Sequence, residues 1–246
     1  MFERPSILPP RLAHGFSDRH GGVSTGSFAT LNFGLKWGDD PAAVAENRRR
    51  LAAAAGYDDA RLHLVRQVHG AAVVRACEAT STSEADAIWA HRDDPPAVVA
   101  VITADCVPVL LADASATAWA AIHSGWRGTV AGVVPATIAA LADAGIDAAE
   151  LRAAIGPCIE LDACEVGPEV AEQFPAEVVD RERFAKPHVD LVAMIRRQLR
   201  AAGVLAENIE RVGGCTFAEP ERYFSYRREG HGSGQQLAFI GPRAGV

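Results

Sequence analysis

Lysine is almost missing from this chain of 246 residues: Lys36 and Lys186 are its lysines, and arginine supplies nearly all the other positive charge. Any pocket for an anion must therefore be built from guanidinium groups or backbone N–H groups. No stretch reaches the ~20 consecutive apolar residues of a membrane span, and the opening MFERPSILPP lacks the apolar core of a secretion signal. No basic stripe offsets the net charge of −7, which excludes a general nucleic-acid binder. The cysteines number five, an odd count without regular spacing, and make no disulfide framework. The expectation is a reduced, cytoplasmic protein whose thiols are free or metal-bound. Internal repeats, linkers and low-complexity segments are also lacking.

What is present is an ordinary globular composition, 49% hydrophobic and 22% charged, long enough to bury a sizeable core. The segment from Val98 to Thr129, VVAVITADCVPVLLADASATAWAAIHSGWRGT, organises it. VVAVIT, VPVLLA and AWAAI read as buried strands, rich in β-branched and small apolar residues and broken by polar turns. Asp105, Cys106 and His123 stand where these strands end, and polar groups there need partners or have a task.

Other elements follow from local signals. Asp40-Pro41 caps a helix that runs to Gly56. The alternation from Phe28 suggests a strand or hairpin, and LHLVRQVHG (62–70) suggests a strand closed by His69-Gly70. AVVRACEAT continues as a strand in which Cys77 is an ordinary buried thiol. SGWRGTVAGVVPATIAALADAG turns into a helix ending near Gly145. Residues 188–203 place Leu191, Ile195 and Leu199 at helical spacing before Gly203. The tail FSYRREGHGSGQQLAFI reads as strand, glycine-rich turn and strand. Strands and helices mix without clean βαβ alternation, which predicts one α+β domain spanning 1–246 with a mixed sheet.

His69, Cys106 and His123 each close or interrupt an apolar run, so they can converge at one sheet edge. Two imidazoles and a thiolate suit Zn²⁺, and three protein ligands leave a fourth position open, as in catalytic sites. Their separations of 37 and 17 residues match no compact zinc finger or ribbon. The same residues without metal read as a Cys–His hydrolase or amidase, with Cys106 as nucleophile and a histidine as base. A multicopper cluster needs many histidines, often in His-x-His pairs; this chain has 8 and no such pair. A non-enzymatic module braced by zinc is the remaining class. Arg127, between Gly125 and Gly128 at a helix start, and Arg48 are candidates for phosphate or base contacts. Asn32 and Gln67 are candidates for hydroxyls or base edges.

The run SDRHGGVSTGSFATLNFGLKWGDDPAAVAENRRRL, followed by QVHG, TADCVPVLL, AIHSGWRGT, IGPCI, EVG, CT and FSYRR, resembles the YfiH-like family, also called the laccase-domain or polyphenol oxidase family. The motifs recur in family order from about residue 14 to 240. The resemblance implies an α/β sandwich of mixed sheets flanked by helices. It implies that His69, Cys106 and His123 hold one zinc ion, with copper as the alternative. It also implies phosphorolysis of adenosine, inosine and S-methyl-5′-thioadenosine, so that purine nucleosides and phosphate are the partners. Adenosine deamination and copper-dependent phenol oxidation are the further activities it brings. The zinc-deaminase signature H-x-E with P-C-x-x-C is absent, so any deamination uses a different geometry. Two positions depart from the family pattern. Gln235 replaces the usual arginine of Thr-Gly-Arg, and Cys164 stands where an aromatic precedes Glu-Val-Gly.

Overall fold

The computed structural model describes residues 1–80 and 82–245. Its two large sheets are both mixed. One has the order Phe2–Glu3 (β1), Leu12–Ser17 (β2), Gln236–Pro242 (β13), Val98–Thr103 (β6), Leu62–His63 (β3). The other runs Ile209–Arg211 (β12), Leu151–Ile155 (β9), Val107–Asp113 (β7), Ala118–Ser124 (β8), Ala87–His91 (β5), Val73–Arg75 (β4). Val179–Asp180 (β10) and His188–Val189 (β11) form a small separate ribbon.

The strands of the central segment lack alternation because both of their faces are covered. On β7 and β8, Leu110, Ala112, Trp119 and Ala121 face Val99 and Val101 of β6 and Ala238 and Ile240 of β13, forming the layer between the sheets. The opposite faces of β7 and β8, with Val109, Leu111, Ala120 and Ile122, pack on Val133–Asp143 (α3) and Leu191–Ala201 (α5). Val98 and Ala100 of β6, with Leu237 and Phe239 of β13, meet Leu51, Ala52 and Ala55 of Pro41–Ala55 (α1). The result is a helix–sheet–sheet–helix stack.

The helices begin and end where local chemistry directs. The Asp40 side chain accepts the Ala42 N–H at 2.9 Å, Pro41 takes the first helical position, and Gly56 closes α1 with φ of 78°. Asp190 caps α5 through the Ala193 N–H at 2.8 Å, and Leu191, Ile195 and Leu199 form its buried stripe. Trp126–Ala131 (α2) starts directly after Gly125.

Four sequence expectations change. The 62–70 run pairs as a strand only at Leu62–His63, because beyond it the Gln67 side chain takes over: its amide bonds both the N–H and the C=O of Ile102 at 2.8 Å. Residues after Phe28 form a loop, since the buried amide of Asn47 collects Ser24 Oγ, the Asn32 carbonyl and the Val23 N–H in place of a ladder. Residues 226–229 are a short helix, Tyr226–Glu229 (α6), capped by Ser225. Cys77 is exposed. Pro168–Ala171 (α4) completes the helices among the described residues.

Candidate metal centre

The site gathers where β6 ends and β7 begins. Cys106 immediately precedes β7 and lies in the turn from β6. Its neighbour Asp105 holds φ of 86°, a left-handed conformation uncommon for a side-chain-bearing residue. Three segments fix it there. The Asp105 carboxylate accepts the Thr216 hydroxyl and the Arg227 N–H, both at 2.6 Å, and its carbonyl accepts the Ile159 N–H at 2.9 Å. His123 lies near the end of β8, on the face that Trp119 and Ala121 turn towards the other sheet. His69 enters from the Gln67–Gly70 loop with φ of 62°.

These three residues come together. One ligand atom each from His69, Cys106 and His123 lie within 4.8 Å of one another. The imidazole rings are 4.8 Å apart between centroids and nearly perpendicular, at 86°. His123 is buried, Cys106 half-buried and His69 exposed, so the group is anchored inside and open on one side. Among the described residues this is the one cluster of three or more His, Cys, Asp or Glu groups suited to a metal ion. The donor set can hold a single borderline-soft ion, whereas it is too small for a cluster of several coppers.

Burial alone would raise the Cys106 thiol, but the charge and hydrogen bond of His123, with a further bond from His69, bring it well below the usual thiol range. Burial likewise opposes protonation of His123, and the Cys106 thiolate and Asp86 overcome it, raising that imidazole above its usual value. Each of the two groups thus favours the charged form of the other.

Sequence reasoning missed the residues that hold the ligands. Asp86 is fully buried, and its carboxylate receives His123 Nδ1 and the backbone N–H groups of Val68, His69 and Gly70. A carboxylate at the head of an apolar strand was the available signal, since a buried charge requires partners. Gly125 lies against the sulfur. Arg227, whose backbone serves Asp105, sends its guanidinium to the carbonyls of Ala163 and Glu165 at 3.0 and 2.9 Å.

The four candidate substrate residues are distributed differently from the ligands. Arg127 is exposed one turn-start away from His123 and stacks on the Trp126 ring at 4.2 Å. Asn32 is fully buried: its amide bonds Gly34, Asp39 and Gln235, which leaves nothing for a sugar hydroxyl. Gln67 is committed to Ile102, next to the metal-ligand loop. Arg48 sits on α1 with its charge acting on Asp59 and Tyr57. Gln235, at the departure from the family pattern, packs on Gly34.

Two packed mixed sheets with a His–Cys–His group at one end define a metal-site sandwich fold. A family model described as "Multi-copper polyphenol oxidoreductase laccase" matches residues 13–243, and the chain belongs to this laccase-domain family. Within it the chain is YfiH-like. It is 39% identical over 240 residues to "Purine nucleoside phosphorylase YfiH" of Escherichia coli (strain K12), covering 94% of each chain. It is 40% identical over 245 residues to a "Purine nucleoside phosphorylase" of Deinococcus radiodurans, covering 96% of this chain and 92% of the relative. YlmD from Geobacillus stearothermophilus superposes with a TM-score of 0.87 at 31% identity, covering 98% of both chains. Bacillus licheniformis YfiH gives 0.86 at 26%, covering 94% of this chain and 93% of the other. The relatives' names support a purine nucleoside phosphorylase-like enzyme. No helix among the described residues is long and apolar enough to cross a membrane.

Proposed function

We propose that the chain is one zinc-binding catalytic domain that phosphorolyses adenosine, inosine and S-methyl-5′-thioadenosine to free base and pentose 1-phosphate. The reading is carried by 40% identity to the Deinococcus radiodurans phosphorylase across nearly the whole chain. The open His69–Cys106–His123 group supports it. Zn²⁺ is the ion proposed because phosphorolysis changes no oxidation state and calls for a non-redox Lewis acid, which when bound would polarise an oxygen of phosphate or substrate.

In phosphorolysis a phosphate oxygen bonds to C1′ as the glycosidic C–N bond breaks, and its electron pair leaves with the base. Charge develops on sugar and base, so positioning and electrostatics supply most of the rate. Arg127 is the guanidinium that neutralises phosphate at the open side. Its stacking on Trp126 limits the rotamers it must lose when it binds. Asn32 and Gln67 spend their amides on partners within the protein instead of the sugar, and the charge of Arg48 acts on Asp59 and Tyr57. Adenosine deamination belongs to the same proposal as a side activity.

The test is direct. Purified protein should contain about one zinc per chain and release hypoxanthine from inosine only when phosphate is present. Phosphate-independent release, or none, would overturn the phosphorylase reading. One observation favours a second reading: Cys106, His123 and Asp86 stand in the order nucleophile, base, orienting acid. A metal-free thiol hydrolase would be inhibited by alkylation and indifferent to chelators.

A further inference from the structure

Asp86 immediately precedes β5 and lies between the two histidines of the metal group. Its Oδ1 receives two donors, His123 Nδ1 at 2.8 Å and the His69 backbone N–H at 2.9 Å. Its Oδ2 receives the N–H of Gly70 at 2.7 Å and of Val68 at 3.2 Å. We infer that Asp86 is a positioning residue for both imidazoles at once, fixing the ring tautomer of His123 and the backbone conformation of His69 through a single carboxylate.

The His123 half follows from donor bookkeeping. An ionised carboxylate only accepts, so Nδ1 must carry the proton and donate it. Nε2 then keeps its lone pair and becomes the ligand atom turned to Cys106. An imidazole whose second nitrogen is held in this way presents one tautomer and one ring orientation to a metal. The His69 half follows from the backbone. Three successive N–H groups converge on one carboxylate, and the middle residue is held at φ of 62°. L-residues rarely occupy that region unaided, so the carboxylate is what keeps the exposed His69 ring turned to the group. The two ligands are thereby coupled, although 54 residues separate them in the chain.

A separate bond allows the test to be made cleanly. The Asp86 carbonyl accepts the His123 N–H at 2.7 Å without involving the carboxylate, so the pairing of β5 with β8 survives a side-chain change. In Asp86→Asn an amide NH₂ can face Nδ1, which moves the ring proton to Nε2, where it competes with the metal. The inference rests on the metal-site reading, and two readouts separate them. Zinc affinity of Asp86→Asn, measured by chelator competition, is expected to fall about 10- to 100-fold with circular dichroism unchanged. The ¹⁵N shifts of His123 in metal-free wild type, taken at alkaline pH where the ring is neutral, are expected to report Nδ1–H, and in Asp86→Asn to report Nε2–H. Zinc binding within twofold of wild type in the variant overturns the inference, as does an Nε2–H tautomer in the wild type. The wild-type shifts decide the matter even if the variant does not fold. Wild-type protein that binds no zinc overturns the metal reading alone, because its tautomer still reports on Asp86.

Discussion

A methyl group on Gly125 would lie 2.8 Å from the Cys106 sulfur and 3.2 Å from Cδ2 of His69. The glycine therefore clears space for the ligands. Its backbone, at φ of −72° and ψ of 171°, is one that alanine adopts readily. Gly125→Ala should fold normally and bind metal about 5- to 150-fold more weakly, since overpacking of this kind costs roughly 1–3 kcal/mol. Titration with zinc against a chromophoric chelator measures it, and unchanged affinity would show that sulfur and loop can yield.

Replacing each ligand separates metal loss from fold loss. His69 is exposed, so His69→Ala should lose stoichiometric zinc while differing in stability from metal-free wild type by no more than about 0.5 kcal/mol. His123 is 3% exposed and bonded to Asp86, so His123→Ala should lose zinc and about 1–3 kcal/mol as well, the penalty of an unpaired buried acceptor. Elemental analysis and thermal denaturation of the same samples read the two effects. Full zinc retention in Cys106→Ala would remove the thiolate from the ligand set.

Cys106 should resist iodoacetamide in zinc-loaded protein and react once the metal is stripped. A metal-bound thiolate has its lone pairs committed, whereas the metal-free thiol is pulled down to about 6 by its imidazole neighbours against the effect of burial. In stripped protein the labelling rate should be nearly flat from pH 7 upward and fall as pH drops through 6. Peptide mass mapping locates the label. Rapid labelling of the zinc form, with activity lost in step, would favour the hydrolase.

Arg127→Lys keeps the charge but gives up the planar fork and much of the contact with Trp126. The exposed position predicts an unchanged melting temperature. KM for phosphate should rise about tenfold, the loss of roughly one charge-assisted hydrogen bond. A wild-type phosphate dependence in this variant would place the anion elsewhere.

The central strands were legible because burial on both faces leaves unbroken apolar runs, as in VPVLLAD of β7. Caps did the same for α1, where Asp40, Pro41 and Gly56 each carry their own signal. The loops were misread wherever a side chain replaces the backbone as hydrogen-bond partner. Gln67 on Ile102 and Asn47 in the 23–32 loop give no periodicity to detect. At the metal group the ligands themselves were legible as polar groups at strand ends. Of their supports Asp105 was legible in the same way, but its partner and Asp86 were not, because they act at long range: the Thr216 hydroxyl reaches Asp105 across 111 residues.

The position of β13 bears on the order in which the molecule is assembled. This strand, the last in chain order of the thirteen among the described residues, fills the middle of its sheet, between β2 and β6. Until it is inserted, β6 lacks that neighbour over Val99–Thr103, and the turn that carries Cys106 follows a strand held on its other side alone, by β3 and Gln67. Such late, long-range closure slows folding and makes a nascent chain vulnerable to mispairing at the open strand edge.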